Sequence, residues 1–143
     1  MGAVEAQNKA VIYKLVEAFN NQDRETFVSC YANPIVINTQ HETFTMTHDE
    51  HWESVEDTFK VFPDFRSELL GVVAEGDRVF QYWTYSGTHL GSTPGGRKPT
   101  GKRAEWRAFS DYRFKDGVIF EATQIHDTYE QYLQLGIIEP PSK

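Results

Sequence analysis

The chain has one cysteine, Cys30, in 143 residues. No internal disulfide can form, which excludes a disulfide-stapled scaffold. No apolar run is long enough to span a bilayer, so no membrane partner is expected. The opening segment, MGAVEAQNKA, has neither the basic and then apolar regions of a secretory signal nor the pattern of an acylation site. Positive charge is also scarce: 14 Lys and Arg stand against 21 Asp and Glu, a formal net charge of −7. Nucleic acid needs a basic surface, so no such partner is expected either. The basic residues that do cluster, Arg97-Lys98 and Lys102-Arg103, fall in a Gly- and Pro-rich loop and read as a solvated loop tip. Cysteine clusters are absent, and His48 and His51 are the only histidines near helical ligand spacing. Gly95-Gly96 does not precede a helix, as a phosphate cradle would. No metal or other cofactor is expected, and the expected address is cytoplasmic.

What the chain does have is apolar and aromatic bulk, 39% and 14% of its residues. That is enough for one core, and the length fits a single domain over 1–143, its core about 5–137 and its tail 138–143. Val11, Leu15, Ala18 and Phe19 fall at helical spacing and predict a helix over Val4–Phe19, ended by Asn20-Asn21. Asp23 is placed to cap a shorter helix through Tyr31, with Phe27, Val28 and Tyr31 turned inward. Asn33-Pro34 breaks it, and Ile35-Val36-Ile37 reads as a strand running into Asn38-Thr39. Thr47 and Glu50 form a capping box for a third helix, whose stripe is Trp52, Val55, Phe59 and Phe62 and whose end is Pro63. His51 falls beside that stripe and is expected to face water.

From there the chain turns to strands: Phe65–Ala74, Arg78–His89, Arg103–Phe114 and Val118–Ile125, with turns at Glu75-Gly76-Asp77 and Lys115-Asp116-Gly117. A terminal helix follows over Thr128–Leu135, stopped by Gly136. Helices first and an antiparallel meander after them indicate an α+β domain, with helices on one face of a curved sheet.

Strand parity sorts the candidate site residues. Val79, Gln81, Trp83, Tyr85 and His89 share a face that suits a ligand pocket or a dimer interface equally. Trp106, Ala108, Ser110, Tyr112 and Phe114 share a face that reads as a pocket wall, with Ser110 and Tyr112 as its polar contacts. Arg107 and Asp111 on the other face read as a surface ion pair. In the last strand, Thr123, Ile125 and Asp127 fall on one face and His126 on the other. Asp127 stands where strand gives way to helix. It reads either as an acid/base at a pocket lip or as a helix cap, since Asp127 and Glu130 have capping-box spacing.

The segments KAVIYKLVEAFNNQD (9–23), FPDFRSEL (62–69), AEGDRVFQYWTYSGTHLG (74–91), PTGKRAEWRAFSDYRFKDGVIFEA (99–122) and LQLGII together resemble the SnoaL-like polyketide cyclases of the nuclear transport factor 2-like superfamily. The resemblance implies a cone-shaped barrel: a strongly curved, mainly antiparallel sheet wrapped around N-terminal helices, enclosing a pocket. It implies aldol cyclisation, dehydration or isomerisation of a small apolar ketone or polyketide-like compound, without cofactor. It also implies a homodimer through the outer sheet face. Asp127 matches the family's acid/base Asp, with Thr123 and Ile125 where the family can place Trp and His. Asn38 stands near a common pocket position, and Asn38, His89 or Tyr112 would steady an oxyanion. Trp83, Tyr85, Trp106, Ser110, Tyr112, Trp52, Thr123, His41 and Tyr31 are the expected substrate contacts. The alternative is a domain that only binds a lipophilic ligand or dimerises, with Asp127 as a cap.

Overall fold

The computed structural model describes residues 2–142. Helix α1 (Ala3–Asn20) is followed by α2 (Arg24–Ser29), strands β1 (Tyr31–Asn38) and β2 (Thr43–Met46), and α3 (His48–Val61). Strands β3 (Arg66–Glu75), β4 (Arg78–Thr88), β5 (Arg103–Lys115) and β6 (Val118–His126) then lead to α4 (Thr128–Gln134). The six strands form one open sheet in the order β2-β1-β6-β5-β4-β3. Every neighbouring pair is antiparallel except β1 and β6, which run parallel. The sheet is therefore mixed rather than a plain meander. Two boundaries also differ from the sequence reading: Tyr31 opens β1 instead of closing α2, and Thr43–Met46 pairs with β1. Among the described residues no helix is long and apolar enough to cross a membrane.

The helices lie on the concave face. Asn8, Ile12, Leu15 and Ala18 are the buried stripe of α1. Asn20 fastens the end of α1 to β3: its Nδ2 donates to the Ser67 carbonyl at 2.8 Å, and its Oδ1 accepts from the Ser67 N–H at 2.9 Å. Asp23 caps α2 through the Thr26 N–H, and the Thr47–Glu50 box caps α3. The main core joins Ile12, Phe27, Ile35, Trp52, Val79 and Ile119. A smaller cluster of Val61, Phe62, Ala104, Trp106 and Leu135 gathers the ends of α3 and α4 against β5.

Register shifts shape the sheet, one in the β1–β6 ladder between Tyr31 and Val36 and two in the antiparallel ladders. On β3 the register shifts between Leu69 and Gly71, and Leu70 turns out to solvent. In the β5–β6 hairpin, Asp116 and Gly117 take positive φ of 52° and 82°, the two-residue turn that Asp-Gly favours. Lys115 pairs with Val118 and Phe114 with Ile119, but Arg113 then pairs with Glu121, leaving Phe120 unpaired.

The junction between β4 and α3 is close-packed. Asp64 accepts from the Thr88 N–H at 2.7 Å and from its hydroxyl at 2.8 Å. The N–H groups of Leu90 and Gly91 both donate to the Val61 carbonyl at 3.1 Å. A Cβ on Gly91 would lie 1.8 Å from the Lys60 carbonyl oxygen, whereas one on Gly95 would come no closer than 3.9 Å to the Thr93 hydroxyl. Gly91→Ala is expected to cost about 2 kcal/mol or more. Gly95→Ala is expected to stay within about 0.5 kcal/mol. Urea unfolding of both variants checks the contrast.

Candidate active site

Between the helices and the concave sheet face lies a cavity of about 510 Å³, a size that suits a small or medium ligand. Its walls are aromatic: Trp83 and Tyr85 from β4, Trp106 from β5, and Phe62 and Phe65 from the α3–β3 junction. Trp83 and Tyr85 stack at 6.1 Å, and Trp106 meets Tyr85 edge-on at 6.2 Å. The mouth is formed by Thr93, Pro94 and Arg97 of the β4–β5 loop and by Tyr132 and Ile137 around α4. The Arg97 guanidinium lies over the Tyr132 ring at 5.1 Å. Gln134 holds α4 in place, accepting from the Glu105 N–H at 2.6 Å and donating to its carbonyl at 2.7 Å.

The buried end is polar. Gln124 Nε2 donates to the Tyr112 hydroxyl at 2.8 Å, and Tyr31 stands beside Tyr112 with ring centroids 6.4 Å apart. Burial raises the phenol pKa of Tyr112, and raises those of Tyr31 and Tyr85 well above the ordinary value, Tyr112 adding to both. All three stay protonated donors at neutral pH. Three imidazoles share the cavity: His51, His89 and His126. His126 stacks on Tyr85 at 5.5 Å, and burial lowers its pKa. His51 lies edge-on to Phe27 and Tyr31, and burial, with His48 adding to it, takes its pKa to about 4. Asp57 is the one carboxylate in the wall among the described residues, and it pairs with Lys60 at 3.7 Å.

Of the residues expected from sequence, the cavity brings together Tyr31, Trp83, Tyr85, His89, Trp106 and Tyr112. The others lie elsewhere. Asp127 is exposed and caps α4, accepting from the Glu130 N–H at 3.1 Å. Asn38 spends its side chain on the sheet, donating to Glu121 at 2.9 Å and to Thr123 at 3.1 Å and accepting from the Thr43 hydroxyl at 2.8 Å. Thr123 is thereby held outside the cavity wall. Ser110 sits behind it, accepting from Trp83 Nε1 at 3.0 Å. Trp52 packs on Phe27 at 5.6 Å in the core, and His41 is exposed in the β1–β2 turn. Arg107 and Asp111 do not pair: Arg107 donates to the Tyr82 hydroxyl and Asp111 binds Arg78.

His126, Gln124 and His51 are the cavity residues that sequence reasoning missed. The unpaired Phe120 explains the first two. With one residue left out of the ladder, Ala108 faces His126 and Ser110 faces Gln124, so these two, and not Thr123 and Asp127, share the concave side. His51 carried a readable signal. It precedes Val55 by four residues and Phe62 by eleven, on one helix face, and it is buried rather than wet.

The chain matches the model of the SnoaL-like polyketide cyclase family over residues 9–135. Among solved structures it is similar to AclR, a candidate hydroxylase from Streptomyces galilaeus, at 27% identity and a TM-score of 0.82, over 97% of this chain and 87% of that one. It is also similar to IdmH, a candidate polyketide cyclase from Streptomyces antibioticus, at 29% identity and a TM-score of 0.79, over 91% and 99%. A candidate SnoaL-like cyclase from Jannaschia shares the fold at 18% identity and a TM-score of 0.85, over 99% and 98%. No curated protein matches the chain.

Two outcomes follow from this geometry. Asp127→Ala is expected to lower stability by about 1 kcal/mol, the ordinary cost of a lost cap, as read by urea unfolding. His51 titrates near 6.5 when unfolded and near 4 when folded. The unfolded chain therefore binds more protons between these values. The stability that neutral His51 supplies is complete above about pH 6.5 and drains as pH falls toward 4. Unfolding free energy is expected to drop by about 2 kcal/mol from this group between about pH 7 and about pH 5. His51→Gln is expected to flatten that slope.

Proposed function

The chain belongs to the SnoaL-like polyketide cyclase family, and we propose that it moves a proton on a small apolar ketone or polyketide-like compound held in the aromatic cavity. Family and structural neighbours support a cyclase-like function. The observation that carries the finer reading is a deprotonated imidazole, His126, in one apolar cavity with the protonated phenol Tyr112.

In this reading His126 takes a proton from the carbon next to a carbonyl. The electron pair moves into the carbonyl oxygen, where Tyr112, fixed by Gln124, donates a hydrogen bond to the developing enolate. The enolate then attacks a second carbonyl of the same molecule through carbon, or expels a β-hydroxyl, or, where a neighbouring double bond extends it, is reprotonated at the γ carbon. These outcomes are cyclisation, dehydration and isomerisation. His126 returns its proton in each. Asp127 serves this scheme by capping the helix that follows His126.

The outer sheet face supports a second element of the proposal, a homodimer. Phe80, Phe109 and Ile125 are 44%, 57% and 53% exposed on neighbouring strands, and Tyr82 stacks on Phe109 at 4.7 Å. Two of the flanking cations are paired within the chain, Arg78 with Asp111 and Arg113 with Asp77, and a third, Arg107, donates to the Tyr82 hydroxyl. A second copy of the same face meets such a patch without breaking these contacts. Phe109→Glu is expected to shift the protein to monomer in light-scattering chromatography. A monomeric wild type removes this element alone.

The chemistry is tested by hydrogen–deuterium exchange next to the carbonyl of 2-tetralone, a bicyclic apolar ketone, in heavy water. Wild type is expected to accelerate exchange. His126→Gln is expected to lose roughly a hundredfold or more, and Asp127→Asn only a few-fold. The acid limb of the pH–rate profile is expected below the ordinary His value, because burial lowers the pKa of His126. Binding without exchange would establish the non-catalytic alternative. Loss of exchange in Asp127→Asn at unchanged melting temperature would return the proton to Asp127.

A further inference from the structure

The cavity holds a second polar point that proton transfer leaves unused. His89 follows the end of β4 and is 1% exposed. Thr100 orients its ring: the Thr100 N–H donates to Nδ1 at 3.2 Å, and the Thr100 hydroxyl oxygen lies 3.2 Å from the same nitrogen. A backbone N–H can only donate, so Nδ1 accepts and the ring proton sits on Nε2. That buried Nε2–H meets no acceptor among the described residues, although the ring belongs to the cavity wall. Buried donors are nearly always paired, and an exception calls for a cause. Two other buried polar atoms also lack partners, but they offer less. Gln81 lies outside the cavity wall, and His51 Nδ1 is set among the rings of Phe27 and Tyr31.

We propose that His89 is a ligand-binding donor whose Nε2–H takes a carbonyl or phenolic oxygen of the apolar substrate. The inference rests on the cavity being the substrate site. Tyr112 lies across from Val79 at one end of β4, and His89 follows Thr88 at the other. The two donors therefore address opposite ends of the cavity, with Tyr85 and Trp106 between them. Such a site selects a flat, largely apolar compound carrying oxygen at two separated positions. Nε2 is sealed, so an oxygen reaches it when a neighbouring ring shifts. Phe62 packs on the imidazole at 5.7 Å. It sits where a side chain on Gly87 would intrude, 2.8 Å from its Cβ.

The test compares fluorenone with fluorene, which match in shape and differ by one carbonyl oxygen. Calorimetric binding to wild type is expected to favour fluorenone. His89→Phe is expected to weaken fluorenone about tenfold while leaving fluorene within about twofold. A second measurement needs no variant: in histidine-labelled wild type, the His89 Nε2–H resonance is expected to move with fluorenone and not with fluorene. Equal losses for both compounds, or a still resonance under saturating fluorenone, overturn the proposal and leave the cavity reading standing. If neither compound binds wild type, the cavity reading falls and the proposal falls with it.

Discussion

The site depends on one unpaired residue. Continued from the turn without a bulge, the β5–β6 ladder would set Ala108 opposite Ile125 and Trp106 opposite Asp127. Leaving Phe120 out of the ladder moves every later pair by one, so Ala108 meets His126 instead. Because strand faces alternate, that step exchanges the whole set of side chains offered to the cavity. An imidazole and an amide go in, and a carboxylate goes out. The exchange is favourable as well as geometric. An ionised Asp in an aromatic wall would need compensation, whereas at the surface it finds the α4 N-terminus.

A second constraint fixes the mouth. The segment Gly87-Thr88-His89-Leu90-Gly91 packs so closely on the end of α3 that neither glycine has room for a side chain. Thr88 is tied to Asp64, His89 to Thr100, and the next two N–H groups to Val61. On the opposite rim the Gln134 side chain pairs with the Glu105 backbone as a neighbouring strand would, and Leu135 drops into the smaller core. These short-range bonds set the distance between loop and helix, and so set what can enter.

Much of this was legible in the sequence. Periodicity placed the helices and long strands, and Thr47-Glu50 and Asp23 marked their starts because capping chemistry is local. Period-two alternation grouped Trp83 with Tyr85 and Trp106 with Tyr112, but it left open whether the Trp83–Tyr85 face met a pocket or a dimer partner. What failed was relation between strands. Neither parity nor composition reports a bulge at Phe120, whose effect appears six residues later at His126. The parallel pairing of β1 with β6 joins residues more than eighty positions apart, so the role of Asn38 against Glu121 and Thr123 could not be read locally. β2 is four residues long and carries little pattern. His51 is a different failure, since it shares the helix face of Val55 and Phe62, two residues of the stripe, and both line the cavity with it.

Burial acts on the cavity's acids and bases in opposite directions, and the proposed chemistry rests on that. Removing water penalises charge, so it pushes phenols up and imidazoles down. The same apolar wall therefore widens the gap between Tyr112 and His126. A phenol and an imidazole close in pKa would share a proton and present an ion pair to the substrate. Driven apart, each keeps its neutral form, one able only to give a hydrogen bond and the other free to accept a proton. In the proposed scheme, an enolate formed there would be held by hydrogen-bond donation from the neutral Tyr112 phenol. The aromatic wall is then more than a container, because the aversion to charge that admits an apolar substrate also keeps its acid and base apart.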